Sequence, residues 1–162
     1  MNLPYLIQTA QQLHQPTVAA AAEFEAARDN LAAELTRSMT ARPDLDKLIG
    51  PGNLPMMEDN SRNFCRFMGA MFTAYEPEVL AQTALWVFRA YRSHGFHTTY
   101  WPANLDTFVA IARARLTPAT FAETYPFFQW LIVNIPTFVK ISDEQLAEPL
   151  SPPPGHGPKI HP

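Results

Sequence analysis

The residue types best suited to binding a ligand lie close together in the run LWVFRAYRSHGFHTTYW, which spans positions 85–101. Two imidazoles, those of His94 and His97, flank Gly95, which is the kind of residue that ends a helix. Imidazole can ligate a metal ion or form a hydrogen bond with a ligand nitrogen. Further aromatic side chains in the same run are Tyr91, Tyr100 and Trp101. These residues predict a binding site at a helix end and the turn that follows it.

A second candidate group lies on the aromatic helix that precedes this run. Arg62 and Arg66 stand on either side of Cys65, and arginine is well suited to pairing with the carboxylates of a ligand. The thiol of Cys65 could attach or sense such a ligand. The alternative is that Cys65 is a small buried apolar residue and that both arginines are solvated.

Several kinds of chemistry are excluded by the absence of their motifs. The sequence contains no dinucleotide-binding or phosphate-binding glycine loop, no HExxH, no EF-hand loop, no GxSxG and no Glu-x-x-His. One cysteine cannot form an internal disulfide or an ordinary cysteine-based metal site. No acid–base pair is evident, so the chain is predicted not to be an enzyme. The formal net charge of −3, without a basic stripe, argues against a nucleic-acid partner.

The elements that must position these residues are predicted to be helices, because apolar residues recur every three or four positions and no period-two alternation is found. We expect an all-α fold of about six to eight helices. The predicted helices run from Leu3 to His14, from a Thr17 cap to Met39, from Asp44 to Ile49, from Ser61 to Tyr75, from Pro77 to His94 and from Pro102 to Leu116, with a last helix beginning at Thr117-Pro118. We expect Pro126 and Pro136 to kink or divide this last helix.

The length of 162 residues predicts a single domain over positions 1–147. Positions 148–162, which contain SPPPGHGPKIHP, are predicted to form a disordered tail because proline and glycine dominate them. We see neither a signal-peptide pattern nor an apolar run of membrane-spanning length, so a cytoplasmic protein without a membrane partner is expected.

The run YRSHGFHTTYWPANLDTF and the order of helices around it resemble a region of the globin superfamily. In globin-coupled sensors, a helix ends at a glycine there, a short aromatic turn follows, and the next helix begins. The run is also similar to the phycobiliprotein branch and to its bilin-associated globin relatives. The resemblance covers roughly positions 60–138. It implies a single globin-like domain that binds haem or a linear bilin and acts as a sensor or carrier.

The resemblance also implies roles for individual residues. His94 or His97 would ligate iron or bind pyrrole nitrogens, and Arg62 and Arg66 would pair with propionates. The walls of the site would be Phe67, Phe72, Phe88 and Trp101. In sensor globins the haem-ligating histidine stands four residues before the glycine, a position that Tyr91 occupies in this chain. Cys65 lies on the helix before the one that carries the bilin-attachment cysteine in phycobiliproteins.

Two alternatives remain open from the sequence. The first is a cofactor-free globin-like module for signalling or dimerisation, similar to the amino-terminal domains of stressosome proteins, in which both histidines are ordinary capping and turn residues. The alanine-rich helix that follows Thr17 would permit close approach of another helix or of a partner subunit, and a homodimer is expected. The second alternative is a carrier of an apolar ligand, without a metal.

Overall fold

Eight helices and no strand form the described part of the chain, which comprises residues 2–146 and 152–153 of the computed structural model. The helices are α1 (Leu3–Ala10), α2 (Val18–Thr40), α3 (Leu45–Ile49), α4 (Leu54–Thr73), α5 (Pro77–Ser93), α6 (Tyr100–Arg115), α7 (Pro118–Val133) and α8 (Ile135–Gln145). The prediction of an all-α fold with six to eight helices is therefore confirmed. The predicted tail at 148–162 lies outside the described residues, apart from Pro152 and Pro153.

Helix α4 begins seven residues before the predicted start at Ser61. Pro55 lies in its first turn, where the missing backbone donor has no intrahelical partner to lose. The proline therefore belongs to the start of the helix and not to a loop. Helix α1 ends at Ala10, four residues before the predicted end at His14. Gln15, which follows it in the sequence, contacts the end of α4. Its side chain donates to the Phe72 carbonyl and accepts from the Tyr75 backbone N–H, 2.7 Å away.

The two prolines of the last predicted helix, Pro126 and Pro136, have different effects. Pro136 stands in the first turn of α8, after Asn134, which separates α7 from α8. Pro126 lies inside α7, and the helix continues through it. Of the kink or division predicted at each proline, division does not occur at Pro126, whereas it does occur near Pro136.

Helix α2 packs against α4, and it also contacts α6 and α7. The contact with α4 is close because Gly69 lies against α2: a Cβ atom at this glycine would come within 2.1 Å of a Glu25 carboxylate oxygen. Some alanines of α2, Ala20 and Ala32 among them, are buried. On the other side of the fold, α5 contacts both α1 and α8.

The N-termini of α2 and α7 are joined by two reciprocal contacts, which we call the Thr–Glu clamp. Glu123 of α7 accepts hydrogen bonds from the backbone N–H and hydroxyl of Thr17, at 2.8 and 3.0 Å. Glu23 of α2 accepts from the same two groups of Thr117, each at 2.7 Å, and from the Thr120 hydroxyl, also at 2.7 Å. Each helix thus supplies the carboxylate that accepts hydrogen bonds from the N-cap residue of the other helix.

None of the helices in residues 2–146 has the length and apolar character needed to cross a bilayer.

Candidate functional site

The turn that carries both histidines is built by the end of α5 and by Gly95. Two backbone N–H groups, those of His94 and Phe96, donate to the carbonyl of Tyr91 at 3.1 Å. Gly95 has a φ of +103°, a conformation that side-chain-bearing residues rarely adopt. The glycine therefore ends the helix as the sequence indicates.

A neighbouring loop, between α3 and α4, holds this turn in place. The Asn53 side-chain amide donates to the carbonyls of Ile49 and His94, at 2.6 and 2.8 Å. The backbone N–H of His97 donates to the Leu48 carbonyl at 2.8 Å. The turn is consequently part of the fold's hydrogen-bonding framework, and Asn53 was not identified from the sequence.

Both imidazoles are exposed, and each uses its Nδ1 atom locally. Nδ1 of His94 lies 2.9 Å from the Ala90 carbonyl, and because a carbonyl only accepts, Nδ1 must be the donor. Nδ1 of His97 accepts from the Thr99 backbone N–H at 3.2 Å and lies 2.8 Å from the Thr99 hydroxyl. These contacts are those of a helix cap and a turn. Among the described residues, no three His, Cys, Asp or Glu side chains are grouped so that they could hold a metal ion.

The aromatic side chains of this region pack on one another and form what we call the aromatic cluster. Its members are Phe88, Tyr91, Phe96, Tyr100 and Trp101, all of them buried. The rings of Phe88 and Trp101 are stacked with centroids 5.1 Å apart, and Tyr91 meets Phe96 edge to face at 4.9 Å. Because these rings are each other's neighbours, the aromatic cluster is a packed core and not the wall of a pocket.

Tyr100 also takes part in a buried polar network that the sequence did not reveal. Asn60 of α4 donates its side-chain amide to the Tyr100 hydroxyl at 3.0 Å, and that hydroxyl donates to the side-chain oxygen of Asn104 at 3.2 Å. Burial raises the pKa of the Tyr100 hydroxyl well above its ordinary value. The phenol therefore stays protonated and joins α4 to α6.

Tyr91 stands at the position that the resemblance matches to the haem-ligating histidine of sensor globins, and it is buried. Burial, together with the negative charge of Asp59, raises the pKa of Tyr91 to about 12. In the absence of a metal ion, the hydroxyl of Tyr91 is therefore protonated at neutral pH.

The second candidate group is divided between two sides of α4. Cys65 is buried, and burial raises the pKa of its thiol to about 12. A thiol in this state is a poor nucleophile. Arg62 and Arg66 are exposed, and Arg62 pairs with Asp59 one turn earlier. The thiol and the two guanidinium groups therefore do not converge on one ligand.

The two remaining predicted wall residues are also on α4. Phe72 is fully buried, with its ring 4.9 Å from Phe24 and 5.1 Å from Phe127, in the core between α2, α4 and α7. Phe67 is half-buried against the hydrophobic core. The structure thus groups Tyr91, Tyr100, Trp101 and Phe88 but gives Phe72 different neighbours.

Two clefts in the described part of the chain are small. One, of about 220 Å³, lies between the residues that follow α1 and helix α7. The other, of about 270 Å³, lies among α1, α5 and the end of α8. Pockets for drug-sized ligands usually measure about 300–1,000 Å³. Neither histidine of the turn and no member of the aromatic cluster lines either cleft. Neither cleft is therefore the site that the sequence predicts for a haem or a bilin.

The fold and this region define an all-α protein in which the predicted ligand-binding side chains mostly pack on the protein itself. Comparison of the chain with protein-family models, with curated proteins and with solved structures gives no match.

Proposed function

We propose that this protein is a cofactor-free helical module that acts by binding another protein. The observation that carries the proposal is the aromatic cluster, in which the side chains predicted to surround a tetrapyrrole are buried against one another. A haem inserted there would have to separate the stacked rings of Phe88 and Trp101. It would also lose the aromatic and hydrophobic contacts that stabilise this part of the core.

The surroundings of the histidines support the same proposal. His94 and His97 form local contacts typical of a helix end and a turn, as expected for a module without a cofactor. The high pKa values of Tyr91 and Cys65 disfavour the two other attachments that a tetrapyrrole could use, a phenolate ligand and a thioether bond. Tetrapyrrole binding and the globin resemblance remain predictions from the sequence.

An absorption titration of the purified chain with haemin, and separately with biliverdin, tests the proposal. We expect no saturable Soret band and no narrowed bilin band at one equivalent of ligand. A saturable band that disappears in His94→Ala or His97→Ala, but persists in the matched control His14→Ala, would refute it. His14 is an exposed histidine outside the turn, so its replacement controls for nonspecific binding of the ligand by surface imidazoles.

Self-association is the form of protein binding that the sequence predicts, through the alanine-rich helix α2. Ala20 is buried within the fold and is therefore unsuited to such an interface, whereas Ala22, Ala26 and Ala33 are exposed. Sedimentation of the wild type and of Ala26→Arg tests this form of the proposal. A dimer in the wild type that dissociates in the variant is the expected result, and a monomeric wild type would exclude self-association.

A further inference from the structure

The larger of the two clefts is formed by three helices and by a proline from near the C-terminus. Its volume is about 270 Å³, and the helical residues around it are Leu3, Gln82, Leu85, Trp86, Arg89 and Gln145. Pro152 lines the same cleft, although it lies seven positions after Gln145 in the sequence. A proline of the chain is therefore already placed against this surface.

Arg89 determines where helix α8 ends relative to the cleft. Its guanidinium is buried and donates to the Gln145 carbonyl through Nε and Nη2, at 3.1 and 2.7 Å. One turn further along α5, Arg92 donates to the hydroxyl of Ser142 at 2.7 Å and pairs with Asp143 at 2.6 Å. The two arginines thus join the last turn of α8 to α5 at the cleft.

The chemistry of the cleft suits a proline-rich segment. Proline-rich chains adopt an extended helix without internal hydrogen bonds, and they bind in grooves whose walls are aromatic and apolar. Here Leu3, Leu85 and Trp86 supply the apolar part of the lining, and Gln82, Arg89 and Gln145 supply its polar part. Positions 151–154 read SPPP, which is the composition that such a groove accepts.

We infer that the surface around Trp86 is a docking site for a proline-rich segment, and that Pro152 of the same chain, which forms one wall of the cleft there, is docked on it. The docked proline covers part of this surface and so blocks the binding of proline-rich segments of other proteins. The inference is independent of whether the protein binds a tetrapyrrole, because the aromatic cluster does not line this cleft.

The first experiment compares the full-length chain with a Pro152→Ser/Pro153→Ser double variant by nuclear magnetic resonance. The protein has three tryptophans, so three indole N–H signals report separately on Trp86, Trp101 and Trp130. We expect the Trp86 signal to shift in the double variant while the other two stay in place. The matched control is Pro158→Ser, which should leave all three unchanged. An unshifted Trp86 signal in the double variant would overturn the inference.

The second experiment adds a synthetic peptide with the sequence SPPPGHGP, corresponding to positions 151–158, to both full-length proteins. A segment attached to its own binding site has a high effective concentration and competes with a free peptide. We therefore expect the peptide to bind the double variant at least about tenfold more tightly than the wild type. Equal affinities would show that Pro152 of the chain does not compete with the peptide for this surface. Absence of binding to either protein would show that the cleft does not recognise proline.

Discussion

Replacement of Glu23 by alanine should destabilise the protein by removing the stronger half of the Thr–Glu clamp. The variant loses three hydrogen bonds to a carboxylate, from the Thr117 backbone N–H, the Thr117 hydroxyl and the Thr120 hydroxyl. Thr120 is buried, so water can hardly replace the carboxylate as the acceptor for its hydroxyl. Alanine is the best helix former, so the substitution within α2 carries no propensity cost.

The expected loss is about 2 kcal/mol of unfolding free energy. Bonds to a charged group contribute about 1.5–3 kcal/mol each in mutational series, but these lie near the surface, where water replaces much of each interaction. For a domain of this size, about 2 kcal/mol corresponds to a fall in melting temperature of about 4–8 °C. Glu123→Ala removes only two bonds, both to Thr17, and should cost about half as much.

The same substitution makes the stability depend less on pH. The hydrogen bonds from Thr117 and Thr120 hold the pKa of Glu23 below its usual value near 4.5. A carboxyl whose pKa is lowered by folding stabilises the protein at pH values above the unfolded pKa. That contribution disappears as the pH falls through the folded pKa. The difference between the wild type and Glu23→Ala should therefore be largest at neutral pH and shrink on acidification below about pH 4.

Urea unfolding followed by circular dichroism, at pH 7 and at several acidic values, measures these differences. Glu144→Ala, an exposed carboxylate on α8, serves as the matched control and should change the unfolding free energy by less than about 0.5 kcal/mol. The reasoning about the clamp is refuted if Glu23→Ala is as stable as this control at pH 7. A difference from the wild type that stays constant into acid would refute the charge argument alone.

Three further predictions concern the interior and one turn. Tyr100→Phe should lower the urea midpoint by an amount equivalent to about 1–3 kcal/mol, because Asn60 loses its buried acceptor; an unchanged midpoint would exclude the network. In the same assay, Gly50→Ala should lower the free energy of unfolding more than Gly52→Ala does. Both glycines have a positive φ, so both substitutions are strained. Only at Gly50 would the added Cβ atom also lie close to another residue, 3.0 Å from the Gly95 carbonyl oxygen. Equal losses of unfolding free energy would contradict that contact. The reaction of Cys65 with a thiol reagent at pH 8 should be limited by the rate at which the folded protein opens and exposes the buried thiol. A reaction as fast as that of the urea-unfolded chain would show that the thiol is accessible in the folded protein.

Several features of the fold could be predicted because they depend on neighbours in the sequence. Thr17 caps α2 by accepting from the Ala20 backbone N–H at 3.2 Å, Pro77 begins α5, and Gly95 ends it at a positive φ. Each of these signals acts within one helical turn, where backbone geometry alone determines the outcome. The start of α4 was missed because the prolines and glycines before Asn60 suggest a loop, although Pro55 is compatible with the first turn of a helix.

The candidate site was predictable only as a set of residue types. The sequence placed Phe88, Tyr91, Tyr100 and Trp101 near one helix end, and the structure groups them, together with Phe96, which had not been singled out. Whether such rings line a pocket or fill it depends on how closely helices that are far apart in the sequence pack together. Periodicity contains no information about those distances.

The sequence by itself determined the helical class, most helix ends and the turn at Gly95, because local hydrogen bonding and hydrophobic periodicity suffice for these. Only the tertiary structure decided that the aromatic rings pack on one another, that Cys65 is buried, and that Glu23 and Glu123 bind the opposite helix ends. It also placed Pro152 in the wall of the cleft that Trp86 lines. These outcomes depend on which helices become neighbours, and that choice is made by burial over the whole chain.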